Sequence, residues 1–163
     1  ALHIVRGVRD RYVGDRRNPY AEEECSYHYT RAMSSYTLLT AAAGLDYSAV
    51  EGRLAFAPRI DAEDFRCFFT SAEGWGLVTQ TRENAVQRNK VVMRYGTLTL
   101  RQACVDILVS HEERPRTKVT LAGRDIEHRA AFQRERCAIT FAESVIMKAG
   151  QEMEVVIEAP RRP

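Results

Sequence analysis

KVVMRYGTLTLRQACVDILV, residues 90–109, decides how the second half of the chain is read. Its apolar side chains fall mainly at every second position, the period of a strand with one buried face, and valine, threonine and tyrosine suit that geometry. Tyr95, Gly96 and Thr97 separate two β-rich runs, and this spacing predicts a hairpin. Leu98 and Leu100 share one parity while Ala103, Val105 and Ile107 share the other. An extra residue must restore the buried face between them, so a bulge is expected near Arg101 or Gln102.

Working outward, the polar run TRENAVQRN at 81–89 reads as a turn or loose connection, and HEERPR at 111–116 reads as a loop. TKVTLAG, CAITF, SVIMK and QEMEVVIEA are further strands, with Val119 and Leu121 on one face and Met153, Val155 and Ile157 on another. Short strands at this spacing predict an antiparallel, sandwich-like module over residues 77–163, and no chemical motif is legible in it. On the N-terminal side, Leu54 and Phe56 alternate around Ala55 before Pro58, which predicts a short extended segment. Phe68 and Phe69 are adjacent, so in a strand one faces in and the other out. Trp75 stands between two glycines; core packing against a helix layer is the preferred reading, and stacking on a sugar face the alternative.

The longest helical pattern lies in NPYAEEECSYHYTRAMSSYTLLTAAAG, residues 18–44. Tyr29, Ala32, Met33, Tyr36, Leu39 and Ala43 recur at three and four, one buried stripe of a helix. Gly44 follows three alanines and can take the left-handed conformation that closes a helix. Glu22, Glu23 and Glu24 favour the positive end of the helix dipole, and Ser26 can accept from a first-turn amide. Residues 1–13 form a second, shorter amphipathic pattern, with Leu2, Val5, Val8 and Tyr12 on one face and arginines around the other.

Glu22 and Arg31 lie nine positions apart. At about 100° per residue, one continuous helix would point them to opposite sides. They serve one site only if the chain around Glu22 is non-helical, and Asn18 and Pro19 favour a turn there. On the residues alone, a salt bridge fixing the loop to the helix is the preferred reading of the pair.

NPYAEEECSYHYTRAMSSY resembles the segment of glycoside hydrolase family 116 whose pattern is close to NPW-x-E-x-EC-G-D-HY-x-RAM-x-S. That family includes non-lysosomal glucosylceramidase and bacterial β-glucosidases. LAFAPRI at 54–60 and FFTSAEGWG at 68–76 resemble its closing segments in the same order. The resemblance implies that Glu22 and Arg31 bind sugar hydroxyls in the glycone subsite. Such a pair reads a ring from both sides, because the carboxylate accepts hydrogen bonds and the guanidinium donates them in a fixed fork. Ser26 and Tyr27 replace the pattern's Gly-Asp, and Tyr20 replaces its Trp. The nucleophile and acid/base of a retaining hydrolase, two carboxyl groups about 5 Å apart, lie upstream in the family. No catalytic residue is therefore expected in this chain, and the opening Ala-Leu-His without an initiator Met suits a C-terminal piece. His28 is read as orienting Arg31 or filling the core.

Composition narrows the partners. The 24 Lys and Arg nearly balance the 22 Asp and Glu, leaving a formal charge of +2 and a mixed surface, which argues against nucleic acid. Cys25, Cys67, Cys104 and Cys137 show neither CxxC nor Cys/His spacing, so no metal and no cofactor are expected. No apolar run is long enough to span a bilayer; the expectation is a soluble segment, with the cytoplasm favoured.

The expected fold class is thus α+β: terminal helices of an (α/α)6 toroid over residues 1–76, followed by the antiparallel β-rich module of 77–163. The expected function is the C-terminal portion of a retaining β-glycosidase, whose partners are a β-linked glucoside or related glycoside and the remainder of the catalytic domain. A non-enzymatic carbohydrate-binding or scaffold module is the alternative.

Overall fold

The computed structural model describes residues 2–10, 33–107 and 115–159. Two compact units are distinguished, Ala1–Thr37 and Leu38–Pro163. In the first, α1 spans Leu2–Arg9, shorter than the 1–13 pattern, with Arg6 reaching Asp10 one turn on at 3.7 Å. Leu2 and Ile4 are exposed. A second helix, α2, spans Met33–Ala43. The start of this helix, where Ser26 is expected to accept from a first-turn amide, lies outside the described residues.

Gly44 ends α2 as its position predicts. Its φ is +56°, Leu45 N donates to Thr40 O at 2.9 Å, and Gly44 N donates to Ala41 O at 3.3 Å. This is the paired closure of a Schellman motif. The next two carbonyls are met from farther along the chain: Arg59 N donates to Ala42 O at 2.8 Å and Ala57 N to Ala43 O at 2.9 Å. All four carbonyls orphaned by the end of α2 are satisfied, two locally and two by LAFAPRI.

The rest is strand: β1 Asp46–Ser48, β2 Arg53–Phe56, β3 Asp64–Thr70, β4 Gly74–Glu83, β5 Val86–Asp106, β6 Arg116–Leu121, β7 Arg124–Asp125, β8 His128–Gln133, β9 Arg136–Lys148 and β10 Glu152–Glu158. They form a ten-stranded sheet. The pairing is mixed, because β2 runs parallel to β5 while the other ladders are antiparallel. The described part of the protein is therefore mostly β, with two short helices and no toroid helices, which corrects the α+β expectation. From residue 45 onward the apolar side chains alternate, and a period of two forms strands even in 45–76, where the toroid reading placed the end of a helical domain.

The predicted hairpin at Tyr95, Gly96 and Thr97 is also corrected, since β5 runs through all three. A strand of 21 residues extends roughly 70 Å, too long to stay in one flat layer. Its first half pairs with β4 and β10, and its second half with β9 and β2. Gly96, at φ +70°, marks the passage from one set of partners to the other. The ladder order is β3-β4-β5-β10-β6-β7 in the first half and β1-β2-β5-β9-β8 in the second.

The inner faces of both halves supply one buried cluster, including Phe69, Val78, Met93 and Met153 from the first and Leu54, Leu100, Ile139 and Met147 from the second. Each such side chain contributes about 1.5–3 kcal/mol on leaving water. The predicted bulge is present: the β5–β9 register shifts between Leu100 and Gln102, and Gly52 O accepts from Arg101 N at 2.7 Å and Gln102 N at 3.1 Å. It restores Ala103, Val105 and Ile107 to the buried face.

Candidate functional site

Glu22 and Arg31 lie outside the described residues, as do Tyr20, Glu24, Tyr27, His28 and Tyr29. The structure describes the element that follows them, α2, whose last turn is bonded to Ala57 and Arg59. It also describes Trp75, and the core position preferred from sequence is not what is found.

Trp75 is 42% exposed, Phe68 40% and Tyr95 66%. In the β3–β4 ladder Thr70 pairs with Trp75 and Phe68 with Leu77, so Phe68 and Trp75 are diagonal neighbours on one face. Their ring centroids are 5.8 Å apart with planes at 45°. In the β4–β5 ladder Trp75 stands directly opposite Tyr95. Phe69, the other member of the Phe pair, is buried, as alternation requires.

Tyr95 reaches the outer face through a bulge. Met93 is fully buried, and strict alternation would bury Tyr95 two residues later. The ladder shifts between Trp75 and Gly76, so that Gly76 opposes Met93 while Trp75 opposes Tyr95, leaving Arg94 as the extra residue. That insertion turns Tyr95 outward beside Trp75. Sequence parity alone hides it; the only legible signal was Trp75 flanked by glycines.

Polar groups surround this row. Glu73, in the β3–β4 connection, accepts at Oε2 from Thr97 Oγ1 at 2.7 Å. Farther along the same sheet face, Lys90 Nζ donates to Glu152 Oε1 at 2.8 Å, and Arg88 lies 3.5 Å from Glu154. The bond to Glu152 raises the Lys90 pKa, outweighing its desolvation.

Among the described residues, recesses lie elsewhere, and two of them are lined by paired polar groups. One, about 380 Å³, crosses the outer face of the second half over the row Ala55, Cys104, Ala138 and Ala131. Arg53 stands at its edge with Glu51 at 2.9 Å and Asp46 at 2.7 Å, and these bonds raise its pKa further. The other, about 310 Å³, opens between Glu63, Arg82 and Ile157 above buried amides. Gln87 Nε2 donates to Gln80 Oε1, Asn89 Oδ1 and Asp106 O at 3.2, 3.1 and 2.7 Å, while Arg82 Nε donates to Gln87 Oε1 at 2.9 Å. Asn89 Nδ2, on a residue 2% exposed, has no hydrogen-bond partner among the described residues.

Burial raises the Cys67, Cys104 and Cys137 thiols, that of Cys137 up to about 12, so thiolate is scarce near neutral pH. His128 is occupied structurally, with Nδ1 donating to Ile126 O at 2.9 Å and Nε2 3.0 Å from Thr117 Oγ1. No group of three or more His, Cys, Asp or Glu among the described residues could hold a metal ion, and no helix there is long and apolar enough to cross a membrane.

No family model matches the sequence, and no curated protein does. Among solved structures, the α-L-rhamnosidase from Dictyoglumus thermophilum aligns with 72% of this chain at 11% identity and a TM-score of 0.39. Part of the chain is distantly similar in structure to a glycoside hydrolase. The chain spans 12% of that enzyme's length.

Proposed function

We propose that this chain is the C-terminal portion of a retaining β-glycosidase acting on a β-linked glucoside or a related glycoside. Glu22 accepts from hydroxyls of the glycone, Arg31 donates to them, and the nucleophile and acid/base carboxyls come from the remainder of the enzyme. The reading draws first on the three runs that resemble family 116. Its structural support is a backbone clamp made by one of them: Ala57 and Arg59 of LAFAPRI hold the Ala43 and Ala42 carbonyls at the end of α2, the helix that follows Glu22 and Arg31 in sequence. The β-rich part then fixes the end of the helix whose upstream residues grip the sugar.

The test is Arg31→Ala in the complete enzyme, assayed with an aryl β-glucoside. The expected loss in kcat/KM is roughly 10- to 150-fold, the scale of a charged hydrogen bond to substrate of about 1.5–3 kcal/mol. Unchanged kcat/KM would remove Arg31 from the site. Glu22→Gln separates charge from hydrogen bonding, because the amide keeps one acceptor and loses the anion.

A further inference from the structure

We infer that the outer face carrying Phe68, Trp75 and Tyr95 is a binding surface for β-linked gluco-configured oligosaccharides, formed by residues other than the Glu22 and Arg31 assigned to the glycone. The row spans three adjacent strands, β3, β4 and β5, hence two interstrand spacings or roughly 10 Å. That is a short run of linked sugars, and every ring belongs to a strand in a ladder, so it is held by backbone bonds before any ligand arrives. A gluco-configured pyranose with equatorial hydroxyls presents flat C–H faces that stack on aromatic rings, while its edges carry donors and acceptors. Glu73 supplies an acceptor at the end of the row, with Thr97 holding one of its oxygens at 2.7 Å.

Size and charge favour this occupant. The three rings leave on the order of 300 Å² in the open, well below the ~800 Å² per partner of a stable protein interface. The nearby cations Lys90 and Arg88 are paired with Glu152 and Glu154, while exposed Arg66, two residues from Phe68 on the same face of β3, adds a guanidinium whose donors suit sugar hydroxyls. The β5 bulge also counts: it exposes a tyrosine that alternation would have buried, and does so beside the tryptophan. The choice of gluco-configuration rests on the proposed glycosidase reading; the stacking surface itself does not.

Trp75 is the chain's single tryptophan, so intrinsic tryptophan fluorescence has one source, and that source lies on this face. Titrating the 163-residue chain with cellotetraose and laminaritetraose is expected to shift its emission to shorter wavelength and shield it from acrylamide. Tyr95→Ala, at an exposed position that leaves the core intact, should weaken that titration at least about fivefold with an unchanged circular dichroism spectrum. Arg31→Ala should leave it unchanged. No response to either tetraose overturns the inference, as does a response produced only by lipid vesicles or by raising protein concentration. A response lost in Arg31→Ala but kept in Tyr95→Ala places the sugar at the glycone site, overturning the aromatic surface and leaving the glycosidase reading intact.

Discussion

Thr97 binds Glu73 twice, its amide donating to the Glu73 carbonyl at 3.2 Å and its hydroxyl to Glu73 Oε2 at 2.7 Å. Between the two halves of β5, this pair ties the strand to the β3–β4 connection, and Gly96 sits beside it opposite Gly74. Substitution of Gly96 by Ala meets two obstacles: φ is +70°, and a Cβ would fall against the Glu73 carbonyl. Gly96→Ala should therefore destabilise the fold by about 2 kcal/mol or more, read as a lower urea midpoint. An unchanged midpoint would show that the passage between the halves tolerates a side chain.

The β4–β5 hairpin turns on Asn84 and Ala85, at φ +49° and +65°. Two positive φ angles in a two-residue loop make a type I′ turn, in which Asn-Gly is the favoured pair. Ala85→Gly relieves the left-handed strain at some cost in unfolded-chain entropy. The expected net gain is about 0.5–1 kcal/mol, visible as a Tm higher by a few degrees.

Arg82 is the charged member of the buried amide network. It donates to Gln87 Oε1 at 2.9 Å and to Asp106 O at 3.3 Å, with Glu63 at 3.6 Å. Arg82→Leu keeps much of the packing volume but leaves Gln87 Oε1 without its donor. A loss of about 1–3 kcal/mol in equilibrium unfolding is expected, whereas Arg88→Leu, at an exposed pair, should cost less than about 1 kcal/mol.

Cys137 predicts an alkaline weakness. Burial lifts its thiol from the ordinary 9.0 to about 12. Between those values the unfolded chain releases a proton that the folded chain keeps, so stability is whole below pH 9 and falls as pH rises toward 12. The slope approaches on the order of 1 kcal/mol per pH unit for this group alone. Cys137→Ala, although less stable at neutral pH, should show a shallower decline in urea midpoint from pH 9 to 11.

Much of the strand half was legible. Leu54 with Phe56, Phe68 with Phe69, and Leu98 with Leu100 all follow alternation, and the parity change before Ala103 announced a bulge that is present. TRENAVQRN was read as a loose connection because its inward positions are polar: Gln87 and Asn89, facing Gln80 of the neighbouring strand, form a hydrogen-bonded interior that hydrophobic periodicity cannot register. The toroid expectation extended the helical character of 18–44 into residues whose own period is two. The usual fate of indole area points Trp75 to the core, and nothing local in the sequence shows which side of β4 lies outside.

What the sequence determined by itself were the local choices: where alternation makes a strand, where Gly44 ends a helix, and where a parity change demands an extra residue. Those depend on neighbours within a few positions, and backbone sterics with side-chain period settle them. Only the tertiary structure decided that β5 continues through Gly96 to serve both halves, that Ala57 and Arg59 cap α2, and that Trp75 and Tyr95 share an outer face. Each of these joins segments whose partners are chosen by the burial of one common core, and one-dimensional spacing carries no record of that choice.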